Sequence, residues 1–162
     1  MNIALRAAST EDHAWLYGLH KLTMRGVIEQ TWIWDEAWQR QDFERRVRDY
    51  LAFVIEHEAR DIGGLVVETR PDSTHIHEVQ ILPVFQGRGV GSAVIQQVIT
   101  QAATRGVPVT LSVALANSRA RRLYDRLGFQ VIDKQPPLVR MRHSPTTKSL
   151  RVIGDGPGRT SR

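Results

Sequence analysis

The 162-residue chain contains no cysteine, so neither a disulfide framework nor a thiolate nucleophile nor a zinc–thiolate site can be built from it. It has no apolar run approaching the roughly 18 residues of a membrane-spanning helix. Its start, Met1 to His13, lacks a basic stretch followed by an apolar one, which leads us to expect a soluble, non-exported, cytoplasmic protein with no membrane partner. Acidic residues are missing over a long interval. Between Glu78 and Asp125 there is none, while Arg88, Arg105, Arg119, Arg121 and Arg122 fall inside it. Those five arginines equal the whole formal net charge of +5. They are either solvated helix faces or a site for an anionic ligand. Lysine is likewise absent between Lys21 and Lys134. What remains is ordinary: 41% hydrophobic and 24% charged residues exclude an intrinsically disordered chain, and the length suits one domain. Residues 1–143 read as that domain. Ser144 to Arg162, basic and rich in Gly, Ser, Thr and Pro, reads as a flexible tail.

Periodicity predicts the elements. Ile3 to Arg6 alternates as a short strand, and Ser9 with Asp12 opens a helix whose apolar face is Trp15, Leu16, Leu19 and Leu22. A second helix starts near Asp35, with Phe43, Val47 and Tyr50 on one side. Strands are expected over Leu51–Ile55, Ile62–Val67 and Ile76–Leu82, joined by short turns at His57 to Asp61 and at Arg70-Pro71-Asp72-Ser73, which is an antiparallel meander. Helical spacing over Val90–Thr104 is followed by a β-branched run at Val107–Val113, so a crossover and a parallel pair follow the meander. A helix over Ser118–Leu127 is stopped by Gly128, and strands at Phe129–Ile132 and Leu138–Met141 flank Gln135-Pro136-Pro137. The fold class is therefore α/β with a mixed sheet.

One segment carries chemistry by its spacing. Ile81-Leu82-Pro83-Val84-Phe85-Gln86-Gly87-Arg88-Gly89-Val90-Gly91-Ser92 runs from a strand through a glycine-rich turn into a helix. Glycines there permit positive φ and close backbone approach, and the first helical turn offers unpaired N–H groups at the positive end of the dipole. This is a cradle for a pyrophosphate. A dinucleotide fingerprint needs an acid about 20 residues on, which the acid-free interval denies. A Walker loop needs a lysine, and none is present.

With Asn117-Ser118-Arg119-Ala120-Arg121-Arg122-Leu123-Tyr124-Asp125-Arg126-Leu127-Gly128-Phe129 downstream, the chain resembles the GNAT superfamily of N-acetyltransferases. Gln86-Gly87-Arg88-Gly89-Val90-Gly91 is similar to that family's Q/R-x-x-G-x-G/A motif, and the downstream stretch to its N-x-x-A-x-x-L-Y-x-x-x-G-F pattern. The resemblance extends over the order of elements from Ile3 to Arg142. It implies a meander followed by a βαβ crossover whose central strands splay apart, leaving a slot for the donor. It further implies acetyl-CoA as co-substrate: its pyrophosphate on backbone amides from Gln86 and Gly87 through Arg88, Gly89, Val90, Gly91 and Ser92, its pantetheine arm along Ile81 and Leu82, with Asn117 on the same arm. Tyr124 would stand beside the thioester sulfur as proton donor. No metal is implied.

The chain departs from the better-known members where a base is concerned. Glutamates that serve some of them align with His75 and Ser112, neither a carboxylate. Glu78, His77 and His75 are the neighbours that could act instead, and Glu78 is favoured. Strict strand alternation sets Glu78 and Gln80 on the face opposite His75 and His77 unless a bulge intervenes. For the acceptor, Trp32, Trp34 and Trp38 cluster beside Glu29, Asp35 and Glu36, and Glu29, Trp32, Trp34 and His77 are candidates to hold a cationic amine. The expected partner is a small-molecule or peptide amine; a homodimer is allowed. Two rival readings stay open: a non-catalytic acyl-CoA-binding module on the same fold, and acetylation of an amino group carried on RNA, suggested by an isoelectric point near 10.2 but thinly supported.

Overall fold

The computed structural model describes residues 2–145. From residue 146 onward the basic tail expected over Ser144 to Arg162 lies outside the described residues. Seven strands form one sheet in the order β1-β2-β3-β4-β5-β7-β6. β1 (Ile3–Ala7), β2 (Leu51–His57), β3 (Arg60–Thr69) and β4 (Thr74–Ile81) pair antiparallel as the predicted meander. After β4 comes the long helix α3 (Val90–Thr104), which has the predicted bounds, then β5 (Val109–Ala114), parallel to β4. The short helix α4 (Ser118–Arg126) leads to β6 (Gln130–Gln135) and β7 (Leu138–His143).

The two faces of the sheet are covered by different helices. α3 lays Val90, Val94, Ile95, Val98, Ile99 and Ala102 against one face, the spacing read from the sequence, where they join Ile76, Leu111, Val113, Tyr124 and Phe129 in the larger core. α1 (His13–Glu29) and α2 (Glu36–Asp49) cover the other, where Leu16, Tyr17, Phe43 and Val47 pack on Val54 and Val66. The face assigned to α1 from sequence needs correction. Leu16 and Leu19 are buried, but Trp15 and Leu22 are 37% and 62% exposed, and the inward positions beside the leucines are Tyr17 and His20. A buried histidine reads as polar in any hydropathy pattern, so the stripe was displaced around the helix.

Two irregularities position the site. β4 and β5 pair only at Thr74↔Val109, His75↔Thr110 and Ile76↔Leu111. β4 continues to Ile81 and β5 to Ala114 without pairing each other, so the parallel strands part as expected. On β4 itself, Val66 faces Glu78 while Val67 faces Ile76, leaving His77 as the extra residue of a bulge.

Candidate active site

A cavity of about 760 Å³ opens where β4 and β5 part. Its walls are β4 from Ile76 to Ile81, the turn from Phe85 to Ser92, β5 from Leu111 to Ala114, the cavity side of α4, and Thr23, Met24 and Val27 of α1. At one end lies the glycine turn. Gly87 and Gly89 have φ of 73° and 82°, conformations that L side chains avoid. A Cβ on Gly89 would meet no protein atom within 4 Å, so the space before it is open to a ligand. Gly89 caps α3, and Ala93 N–H is the group that bonds back to Gly89 O, at 3.0 Å. The N–H groups of Val90, Gly91 and Ser92 therefore have no helical partner. Arg119 Nη1 donates to Gln86 Oε1 at 2.8 Å, and Arg119, Arg122 and Arg126 line the same wall. Unpaired amides, a helix N-terminus and three arginines fit a pyrophosphate and a further phosphate.

The backbone of β4 supplies the slot's polar edge. Leu82 N–H donates to Ile62 O at 2.8 Å and Leu82 O accepts from Phe85 N–H at 2.9 Å. Both groups are thus engaged within the chain, so the Leu82 N–H is not free for the donor arm. Antiparallel alternation then turns Gln80 and Leu82 toward β3 and Val79 and Ile81 toward the open slot. Ile81 O is taken by Gln86 Nε2 at 2.9 Å, leaving the Ile81 N–H. Across the slot, Asn117 caps α4, its Oδ1 accepting from Ala120 N–H at 3.2 Å, and its amide nitrogen is left for the cavity it lines. Tyr124 also lines the cavity; it is 8% exposed, and burial alone pushes its hydroxyl up to about 12. It is un-ionised throughout the neutral range.

At the other end the bulge decides the chemistry. His77 stacks on Tyr50, with centroids 4.2 Å apart, and lies 2.8 Å from Glu68 Oε1. Glu78 meets His20 of α1 and Arg46 of α2, and Gln80 meets Thr23 of α1. Ile76, Val79 and Ile81 pack into the α3-side core. The extra residue therefore brings Glu78 and Gln80 to the face of His75 and His77, overturning strict alternation. His75 lies 2.7 Å from Thr110 Oγ1 and is held down to about 4, by burial first and by the nearby His77 and Arg70 charges, so it is neutral. Burial also lowers His77, against the pull of Glu68. Glu68 itself is held at about 2 by Arg70 and His77.

The tryptophan cluster lies elsewhere. Trp34 Nε1 donates to Glu36 Oε2 at 2.8 Å, and its ring is 5.8 Å from His20, anchoring the α1–α2 loop. Glu29 pairs with Arg25 at 2.5 Å, and Trp32 is 42% exposed. Glu29, Trp32 and Trp34 do not line the cavity, whereas His77 does. Sequence reasoning missed Thr23, Met24 and Val27, together with His20 behind them. The signal was available: 16, 20, 23 and 27 follow a helical stripe into which a histidine and a threonine intrude.

A strand, a glycine turn and a helix N-terminus opening into a slot between parting parallel strands define an acyl-CoA N-acyltransferase architecture. Residues 57–136 match the family described as FR47-like protein. The chain is 29% identical over 84 residues to a ribosomal protein bS18-alanine N-acetyltransferase of Haemophilus influenzae, a match covering 52% of this chain and 58% of that protein. It is 29% identical over 134 residues to the N-alpha-acetyltransferase RimI of Mycobacterium tuberculosis, covering 78% of this chain and 82% of the relative. The crystal structure of PaiA N-acetyltransferase from Thermoplasma acidophilum in complex with coenzyme A superposes with a TM-score of 0.75 at 17% identity, over 89% of this chain and 99% of that one. Solved GNAT-family acetyltransferases share this fold, one from Elizabethkingia anophelis with acetyl-CoA bound superposing with a TM-score of 0.68 at 13% identity, over 88% of this chain and 98% of that one.

Proposed function

We propose that the protein is an N-acetyltransferase that moves an acetyl group from acetyl-CoA to a primary amine in a ternary complex, with a peptide α-amine as the favoured acceptor. The observation that carries this reading is the continuous slot from the Gly87–Gly89 turn to Tyr124, with an acidic residue, Glu78, on the wall beyond it. When bound, acetyl-CoA would supply an activated thioester. Backbone amides of Val90, Gly91 and Ser92, with Arg119, Arg122 and Arg126, hold its phosphates. The N–H of Ile81 is the backbone donor that faces the slot where charge would develop on the carbonyl oxygen. Tyr124, kept un-ionised by burial, can give its proton to the departing sulfur, whose acidity is that of an ordinary thiol near 8.5.

Acceptor class follows from the strength of the base. A lysine side chain costs about 4.6 kcal/mol to deprotonate at pH 7 and an α-amine only about 1 kcal/mol. The family resemblance sets His75 and Ser112 where some members have glutamates, and Glu78 is held below its ordinary range, so the base is weak and the easier amine suits it. The two relatives above are named as acting on an alanine of a ribosomal protein and on an N-alpha position, which supports the same class. A non-catalytic module is not favoured, since Tyr124 would have no task at the sulfur. The reading includes a cytoplasmic location, where acetyl-CoA is at hand and a cysteine-free chain needs no oxidising compartment. Thiol release from acetyl-CoA in the presence of peptides with free α-amines, lysine-only peptides and small amines tests it. Turnover with an α-amine peptide above the others is expected; acetyl-CoA binding with no turnover on any of them would overturn it.

A further inference from the structure

The donor comes to the slot from the α3 side, where the glycine turn caps α3 and Tyr124 joins the larger core, so the acceptor has the opposite face for its approach. Val109, Leu111 and Val113 of β5 enter that core, and strand alternation turns Thr110, Ser112 and Ala114 the other way. Ser112 is exposed and lines the cavity. The slot therefore opens onto this face beside β5. On the neighbouring strand β7, Arg140 stands opposite Ser112 and Arg142 opposite Thr110. Directly opposed residues of an antiparallel pair share a face, with Cβ atoms about 5 Å apart, so Arg140 sits at the lip of the slot. Its charge is felt there: His75, lowered by burial first, has Arg140 among the charges that add to the shift.

Both arginines are exposed, and among the described residues neither has an ion pair or a side-chain hydrogen bond; Asp133, opposite Arg140 on β6, does not close one with it. The other acids nearby are engaged. Glu68 is held by Arg70 and His77. Glu78, the one acid on the cavity wall among the described residues, has Arg46 Nη1 2.8 Å from its Oε1. By the family resemblance, Ser112 occupies a position where some members have a glutamate. An acid there would neutralise Arg140 across the strand pair, whereas serine leaves that charge to a ligand.

We propose that Arg140 is a specificity-determining residue that draws peptides carrying a carboxylate in the first residues after the acceptor amine, so that the protein acetylates acidic N-termini in preference to basic ones. This rests on the N-acetyltransferase reading above. Arginine suits the task, since its planar fork meets a carboxylate with two parallel N–H groups. Attraction at an exposed site is small for each pair and is screened by salt. It therefore sorts acceptors through KM and leaves the chemistry at Tyr124 untouched. A basic N-terminus meets Arg140 and Arg142 together and finds the acid on the cavity wall already paired.

The test uses the full chain, acetyl-CoA and three peptides that share a free N-terminal alanine and differ only after it: Ala-Glu-Glu-Tyr, Ala-Gln-Gln-Tyr and Ala-Lys-Lys-Tyr. The wild-type KM is expected to rise in that order, by roughly tenfold from first to last at low ionic strength, and the spread should shrink in about 0.5 M salt. Thermal melts establish that each variant is folded. Arg140→Gln should raise the KM for the acidic peptide roughly threefold to fivefold, and Arg140→Glu should invert the order, with kcat and the KM for acetyl-CoA unchanged in both. Arg140→Lys keeps the charge and most of the preference. Free glutamate, which carries a carboxylate without a peptide, should turn over far below Ala-Glu-Glu-Tyr. A wild type that takes the three peptides alike, an Arg140→Glu protein that keeps the wild-type order, or free glutamate used as well as the acidic peptide would overturn the proposal while leaving the acetyltransferase reading intact. A wild type that acetylates no amine removes that reading, and this inference falls with it.

Discussion

Tyr124 and Gly89 illustrate how one atom can carry an assignment. Replacing Tyr124 with Phe keeps a ring packed 5.6 Å from Phe129 and removes only the hydroxyl. Turnover should drop roughly 10- to 1000-fold, the range of a general acid, with acetyl-CoA affinity nearly constant. Wild-type turnover under conditions where chemistry limits the rate would remove the leaving-group role. Gly89 at φ 82° has no protein atom before its missing Cβ, so the fold tolerates a side chain at the cost of backbone strain of about 1–2 kcal/mol. Gly89→Val should therefore remain folded and lose acetyl-CoA affinity at least roughly tenfold by calorimetry, because the branch enters the cradle. Affinity like the wild type's would sink the cradle. The glycine turn was legible in the sequence because its spacing is local, and the family resemblance, not spacing, singled out Tyr124, which lines the same cavity. Glu78 was legible as a candidate but not its direction: the bulge at His77 arises from pairing with β3, and partners ten or more residues away leave no trace in a period of two. The same limit hid His20 and Arg46, which reach Glu78 from two other elements.

The elements divide in the same way. α3 was predicted with its observed bounds because its glycine start and apolar spacing lie within the helix and its flank. That β7 rather than β6 pairs with β5 was not legible, since alternation says which face is buried and nothing about which neighbour is chosen. The contact of β3 with β4 shows how tightly the slot's wall is set. A Cβ on Gly63 would lie 2.5 Å from Gln80 O, a backbone atom, and 2.9 Å from Ile55 Cδ1. β4 must move to accept it. Gly63→Ala should cost about 1–3 kcal/mol and, since β4 is the slot's edge, weaken acetyl-CoA binding as well. Gly26, exposed within α1 with nothing within 4 Å of its missing Cβ, is the contrast: Gly26→Ala should stabilise by about 0.4–1 kcal/mol and leave binding alone. Thermal melts with and without acetyl-CoA read both effects. If Gly63→Ala melts with the wild type, the close packing of β3 on β4 is relieved by small shifts and does not set the slot.

For the molecule as a whole, the titrating groups around the site give stability a definite pH course. His75, lowered to about 4 chiefly by burial, and His77, lowered for the same first reason, resist protonation in the folded state. Their unfolded counterparts take up protons near 6.5, so stability is full above that value and declines as pH falls toward 4. Glu68 and Asp12, both held at about 2 by arginine partners, contribute stability that is present above their unfolded values and is lost as pH falls toward 2. They extend the acid limb below the range of the histidines. His20 runs the other way. Raised through Glu78 despite burial, it contributes stability that is full below 6.5 and is lost as pH rises through its folded value. The melting temperature should therefore peak near pH 6.5 to 7 and fall on both sides, each site adding at most about 1.4 kcal/mol per pH unit to the slope where it titrates. His75→Gln removes one such group while keeping a side-chain partner for Thr110, 2.7 Å away in the wild type. It should flatten the limb between about pH 4 and 6.5 and leave the alkaline side unchanged, whereas His20→Gln should act on the alkaline side. Denaturant unfolding across that range checks both. An acid limb of equal slope in wild type and His75→Gln would show that His75 accepts its proton freely in the folded protein and is not the neutral residue that its burial beside Thr110 requires.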